Sequence, residues 1–518
     1  MSGQGKRFIE AGYAAPKPLI EVDGLPMVAH VLNLFPGVKN VFFVCDKKHL
    51  EDTEMEKVLK AICPTAKIFT ISNNNKGPVK AVHHIKDHLD DDLETIISYC
   101  DYGTDWDFDQ FLTDMRSSDC DGGIACYRGF HPHMLGSDNY AFCKEENNRL
   151  IQTKEKDPFT DNKMNEFASN GTFYFKRGAL VKRYFTELID LDIKVKGEFY
   201  VSLVYNLLVR DGLNVGIFEI QKMLQWGTPF DLKIYQGWSK YFSNIQAQEA
   251  PIFNPPNTTL VLPLAGRGSR FAGEGYKAPK PLLDIDGLPM VIQAVNSLPQ
   301  SQDNVFLCLE DHLKNSPLEK QLSTNFPNCN IKSLNTTTEG YACTCEVGIT
   351  DFNVDVEKPL MVSPCDNGVY YNKEEYLKLA NDESIDIIAW TFRNSQTSKL
   401  NPHSYTWLDV DGDNLVKYVS CKKFIYDDPV KTHASIGTTF FRKGRYFLEG
   451  LAANYEQNIR TQGEFCVDSI LNQSIKQGLR VKAFEVDNYI CWGAPNDYKT
   501  YNYWLEYFKK KANETQHL

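Results

Sequence analysis

Gly3-Gln4-Gly5-Lys6-Arg7-Phe8, followed by Pro16-Lys17-Pro18-Leu19 and Gly24-Leu25-Pro26-Met27, occurs twice in this chain. It returns as Gly266-Arg267-Gly268-Ser269-Arg270-Phe271, Pro279-Lys280-Pro281-Leu282 and Gly287-Leu288-Pro289-Met290. The offset is 263 residues from Arg7 to Arg270 and from Lys17 to Lys280. Later landmarks keep nearly the same spacing: Asp101 and Asp366 lie 265 apart, and Glu198 and Glu464, like Gly227 and Gly493, lie 266 apart. Solenoid repeats have periods of roughly 20–50 residues, so this is a duplicated domain. Each copy pairs a glycine loop, open to the approach of an oxyanion, with an arginine fork and a lysine. That set suits phosphate chemistry.

A chain of 518 residues exceeds a single core and accommodates two domains. Its 42% apolar and 24% charged residues are ordinary for a globular protein. A net charge of −11 argues against a nucleic-acid surface, which needs clustered Lys and Arg, but leaves room for a local basic pocket. The 14 cysteines show no C-x-x-C pair and read as buried reduced thiols. No apolar run approaches the ~20 residues of a membrane span, and no signal-peptide pattern opens the chain. The expectation is a cytoplasmic protein, with oligomerisation left open.

Apolar runs of strand length recur in the same order in both halves. Asn40–Cys45 answers Asn304–Cys308, Thr95–Cys100 answers Leu360–Cys365, and Gly122–Tyr127 answers Ile385–Trp390. Continuous rather than alternating runs point to strands covered on both faces. With helical patterns between them, the expected fold is α/β: two tandem Rossmann-like domains, each a largely parallel mixed sheet covered by helices. Residues 246–257 hold Pro251, Pro255 and Pro256 and read as a linker between a first domain, 1–245, and a second, 258–518. The tail from Tyr503 to Lys511 reads as a final amphipathic helix. Thr258–Leu264 forms an evident strand before the second glycine loop, whereas Met1 already stands inside the first loop. That strand is normally central in an open α/β sheet, so its absence would open a slot in the core. The reading favoured is a true start a few residues upstream, over an abnormally built domain.

Lys17 and Lys280 are each flanked by prolines, which favour extended backbone and present the ammonium from a stiff segment. A tight structural turn would explain one G-x-G, but does not call for the whole set twice. On Gly3, Gly5, Arg7, Pro16, Lys17 and Pro18, and again on Gly266, Gly268, Arg270, Pro279, Lys280 and Pro281, both halves resemble sugar-1-phosphate nucleotidyltransferases, the NDP-sugar pyrophosphorylases. The resemblance implies an enzyme that joins a nucleoside triphosphate to a sugar phosphate and releases pyrophosphate, with Mg²⁺ as cofactor. It implies that Arg7 and Arg270 hold the leaving phosphates and that Lys17 and Lys280 stabilise charge at the α-phosphate. The glycines Gly3, Gly5, Gly266 and Gly268 would line the nucleotide. Asp101 and Asp366, each following a strand, would be the metal ligands. A second family carboxylate, two residues before a late glycine, is replaced here by Gln225 and Cys491, which puts the usual two-carboxylate site in doubt. Trp226-Gly227-Thr228-Pro229 and Trp492-Gly493-Ala494-Pro495 resemble a subgroup common in capsule and surface-glycan loci.

For base recognition the resemblance points to Gly340 and Thr344 in the second copy, and to a poorer match at Gly77 in the first. For the acceptor it points to Glu155-Lys156, to Lys422 preceded by Cys421 rather than Glu, and to Glu198 and Glu464. Buried glutamates that satisfy backbone donors would explain the last two nearly as well. Two other readings remain: a cytidylyltransferase for a polyol- or choline-type phosphate, and a nucleotide-binding pseudoenzyme with a regulatory role. A glycosyltransferase would need a D-x-D motif, and Asp105-Trp106-Asp107 has that form but follows the better-placed Asp101.

Overall fold

The computed structural model describes residues 1–72, 76–136, 138–245 and 251–516. The chain divides into two compact units, Met1–Ser239 and Lys240–Leu518. Both are mixed α/β. No helix among the described residues is long and apolar enough to cross a membrane.

The second unit carries a nine-stranded sheet. Its central path runs Asn330–Leu334, Asp303–Leu309, Thr259–Leu264, Leu360–Val362, His433–Phe441, Ile387–Phe392 and Val481–Glu485. The strand Thr259–Leu264 pairs in parallel on both sides, with Asp303–Leu309 and with Leu360–Val362. Leu260, Leu262 and Leu264 enter one buried cluster and Val261 the other. This period of two follows from successive side chains pointing to opposite faces of a strand.

The first unit lacks that central ladder among the described residues. Phe42–Asp46 pairs in parallel with Lys67–Ile71 as a separate two-stranded sheet, and Thr95–Ser98 pairs with Phe167–Phe175 in a six-stranded one. The described residues of the first unit thus place Phe42–Asp46 and Thr95–Ser98 in separate sheets, and the core divides with them. Val28, Phe43, Cys45, Met55, Leu59 and Ala66 form a cluster of their own. The largely parallel sheet expected for this half is corrected as well. Phe167–Phe175 runs antiparallel to three neighbours, and the two parallel ladders that a central strand adds in the second unit have no counterpart here.

Joining Thr258-Thr259-Leu260-Val261-Leu262-Pro263 directly ahead of Met1 is therefore expected to stabilise the first unit. Burying three or four apolar side chains outweighs the ordering of a short strand by a few kcal/mol, a rise of roughly 3–8 °C in Tm. Calorimetric melts of the extended chain, against one carrying a polar scrambled extension, test this. Equal melting temperatures would mean the slot does not accept a strand.

The Pro-rich stretch is a linker only in part. Residues 246–250 lie outside the described residues, but 251–257 fold onto the second unit. There Asn254 donates its N–H to the Gln300 carbonyl at 2.8 Å and its Nδ2 to Ser301 Oγ at 2.9 Å. Tyr376 Oη donates to Asn254 Oδ1. The unit boundary falls inside the helix Pro229–Ile245 rather than after it. The final helix, read from Tyr503, begins earlier and spans Pro495–Gln516, with proline at its first position where the missing N–H costs nothing.

Candidate active site

The two copies build the same constellation from the same local parts. Gly5 and Gly268 sit at the N-caps of short helices in the left-handed region, with φ of 64° and 60°. The chain then reaches Pro16 and Pro279 in extended conformation, and Lys17–Leu19 and Lys280–Leu282 close 3-10 turns. The stiff segment expected from the sequence is thus a tight turn, not an extended strand through the lysine. Proline at the second position of the turn gives up an N–H that the turn does not use.

Each lysine reaches the aspartate at the end of a strand. Lys17 pairs with Asp101 and also donates to the Gly227 carbonyl at 2.9 Å. Lys280 pairs with Asp366, while Arg270 donates to the Gly493 carbonyl at 3.1 Å. About a quarter or less of each ion-paired side chain is exposed. Burial alone would push the Asp366 carboxyl up, but the adjoining Lys280 ammonium outweighs it and holds the group below the usual carboxylate range. Lys280 is raised in return: burial opposes its charge and Asp366 more than compensates. Arg7 is exposed. Gly3 and Gly266 have open space where a side chain would stand.

The predicted base segments share one geometry. Gly77 and Gly340 are the N-caps of the helices Pro78–His84 and Tyr341–Asp351. A Cβ at either would lie 2.7 Å from the Phe199 carbonyl oxygen or 2.5 Å from that of Phe465, so only glycine fits. Val79 N–H and Ala342 N–H donate to those same carbonyls at 3.2 and 3.1 Å. Gly77, the poorer match by sequence, is therefore held as Gly340 is. Thr344 is buried; its hydroxyl shares a hydrogen bond with Thr338 Oγ1 at 2.7 Å and reaches the Gly340 carbonyl at 3.3 Å, bracing the loop from within.

On the acceptor side the copies diverge. Glu155 is buried at 8% exposure and accepts from Ser202 Oγ at 2.7 Å. Lys156 takes a left-handed backbone, φ 58°, and donates to Tyr200, which in turn donates to Glu198. Burial lowers Lys156 and raises Tyr200, and the charge of Arg7 reaches both. Lys422 keeps the backbone, φ 53°, but is exposed and donates to the Ser404 carbonyl. Glu464 is exposed.

Burial pushes the Glu155 carboxyl up to about 7 from an ordinary 4.5. The native state then binds the proton more tightly than the unfolded chain. The stabilisation is complete below about pH 4.5 and is lost as pH rises through about 7. Glu155→Gln, which keeps the acceptor oxygen for Ser202, is expected to raise Tm at about pH 8 and leave it unchanged at about pH 5. Melts at both pH values check this, and equal shifts at both would contradict it.

Two pairs of residues escaped the sequence reading. Asp231 and Asp497 lie four residues after Gly227 and Gly493, in the first turns of the helices Pro229–Ile245 and Pro495–Gln516. Burial raises both carboxyls. Asp231 feels Arg7 and Lys17, and Asp497 feels Arg270 and Asp366. They bring a second carboxylate near the site that Gln225 and Cys491 do not supply. Their recurrence after both Trp-Gly pairs was the available signal, masked by the helix-capping role that Asp231 also plays with Thr228. Tyr140 and Tyr405 sit beside these carboxyls as well: burial, and then Asp231 in one case and Cys491 and Asp497 in the other, raise their hydroxyls. Asp107 of the D-x-D motif caps the helix Phe108–Ser117, accepting from Gln110 N–H at 2.8 Å.

Among the described residues no three His, Cys, Asp or Glu side chains are arranged to hold a metal. Each copy offers Asp101 or Asp366 beside a lysine, with Asp231 or Asp497 as a second carboxylate. That set fits an ion such as Mg²⁺, which usually takes one or two carboxylates and fills its shell with phosphate oxygens and water.

Residues 1–158 match the model of the MobA-like NTP transferase domain. No curated protein matches the chain. Among solved structures, the nucleoside-diphosphate-sugar pyrophosphorylase of Vibrio cholerae RC9 is similar at 22% identity and TM-score 0.39, over 47% of this chain and 98% of that one. The inositol-1-phosphate CTP transferase of T. maritima is similar at 14% identity and TM-score 0.38, over 49% of this chain and 96% of that one. Likenesses this low carry no weight on substrate. The family match thus covers the first part of the first unit, less than a third of the chain.

Proposed function

We propose that both units are nucleotidyltransferase sites that join a nucleoside triphosphate to a sugar 1-phosphate or a similar small phosphate, releasing pyrophosphate. The observation that carries this is the recurrence of one arrangement in both copies: a glycine loop, a lysine paired with the aspartate that follows a strand, and a basic side chain, Lys17 or Arg270, on the carbonyl of Gly227 or Gly493. An oxygen of the acceptor phosphate attacks the α-phosphorus. The new P–O bond forms as the bond to the β-phosphate oxygen breaks, and pyrophosphate leaves with the electron pair.

Most of the work is positioning and electrostatics. Arg7 and Arg270 hold the leaving phosphates. Lys17 and Lys280 stabilise the charge that grows at the α-phosphate. Gly77 and Gly340 let the base approach the backbone, and Glu155, Lys156 and Glu198 hold the acceptor in the first unit. Mg²⁺ bound by Asp101 or Asp366 together with phosphate oxygens would neutralise charge on the triphosphate. The product would be an activated sugar for surface-glycan or capsule synthesis, made in the cytoplasm.

A pyrophosphate-release screen of four nucleoside triphosphates against sugar, polyol and choline phosphates tests the reading. Release with one acceptor class supports it and identifies that class. Tight nucleotide binding without release from any pair would turn the chain into a nucleotide-binding regulator.

A further inference from the structure

In the first unit the acceptor-side carboxylate is Glu155, at the end of the strand Arg149–Glu155, and its hydroxyl partner Ser202 stands in the first turn of the helix Val201–Arg210. The positions 266 residues later are Cys421 and Asp468. The register between strand and helix is fixed independently in both units. Asn206 accepts from Thr153 N–H at 2.7 Å and donates to its carbonyl at 3.0 Å. Asn472 does the same with Val419, at 2.8 Å for both bonds. Ser202 and Asp468 precede these asparagines by four residues, one helical turn on the same face, so both point toward the same strand end.

Other side chains register the acid there. Burial and then the Asp468 charge push the Cys421 thiol up to about 12 and the Cys466 thiol up to about 11. Asp468 Oδ1 accepts from Ser435 Oγ at 2.7 Å, on the neighbouring strand His433–Phe441. A helix of this kind does not need an acid in its first turn, because Ser202 serves at that position in the first unit. The Glu/Ser pair has become a Cys/Asp pair: the carboxylate is kept and its side of the pocket exchanged.

We propose that Asp468 is the acceptor-binding carboxylate of the second unit, taking a hydroxyl of the sugar- or polyol-phosphate acceptor from the helix side where the first unit uses Glu155 from the strand side. This rests on the reading of both units as transferase sites. With Cys466 in place of Tyr200 and Lys422 turned to the Ser404 carbonyl, the second pocket presents its charges differently, and the two units select different acceptors.

The test uses the full chain with the first unit silenced by Lys17→Ala. Pyrophosphate release is measured with glucose 1-phosphate, glycerol 3-phosphate and phosphocholine, each with four nucleoside triphosphates. Cys421→Glu, Asp468→Ser and the double variant are compared, with melting temperatures checking that each folds. Each single change is expected to raise the acceptor KM roughly 10–100-fold, the effect of losing or repelling one charge-assisted hydrogen bond, while leaving the nucleotide KM in place. The double variant, which rebuilds the Glu/Ser pair, is expected to recover to within about tenfold of the parent. An unchanged acceptor KM in Asp468→Ser, or losses in the double variant that multiply those of the singles, would overturn this assignment while leaving the transferase reading intact. No release from the silenced chain, where the unaltered chain turns over, would overturn the assignment by removing the second unit as a transferase.

Discussion

Lys17→Ala is expected to lower kcat of the first unit by ~10²–10³, and Lys280→Ala that of the second by the same factor, the scale of removing one preorganised electrostatic donor. The ammonium is poised between a carboxylate and, in the first unit, a backbone carbonyl. It is most valuable when charge develops at phosphorus, so the loss falls on kcat. Steady-state pyrophosphate release with each acceptor checks it. A change confined to KM would mean that the lysine binds ground state and transition state alike.

The second large effect is at the aspartates. Asp101→Asn and Asp366→Asn together should abolish turnover, at least ~10³ in kcat, because in the proposed function the carboxylate would anchor an ion that supplies several kcal/mol of charge stabilisation. The fold should survive. Each side chain keeps some solvent exposure and asparagine keeps an oxygen for the lysine, so the cost stays at roughly 1–3 kcal/mol. Near-normal release from the double variant, with an unchanged melting curve, would remove the metal assignment.

Residues that stand in short contiguous motifs were the ones whose repeat partners were legible in the sequence. Lys17, Asp101, Gly77 and their partners 263–265 residues on could be paired by offset alone, and the structure places each pair alike. What escaped depends on contacts between distant segments. Asp468 takes over for a glutamate 47 positions earlier in the repeat, a swap visible only once helix and strand are side by side. Asp231 and Asp497 resemble ordinary first-turn acids of a helix until burial beside the site arginines is seen. The prolines near Asn254 suggested a free linker, but the hydrogen bonds that hold it come from Gln300, Ser301 and Tyr376. The sheet's direction in the first unit was misjudged because strand direction depends on the neighbours a strand finds, which its apolar pattern does not record.

In the proposed function one chain holds two equivalent nucleotide sites. Equilibrium binding of nucleoside triphosphate to the full chain counts them directly, with Mg²⁺ present and acceptor omitted. Two sites per chain are expected, reduced to one by Arg7→Ala/Lys17→Ala and to one by Arg270→Ala/Lys280→Ala. A single site in the unaltered chain, lost with one of these pairs and indifferent to the other, would contradict it.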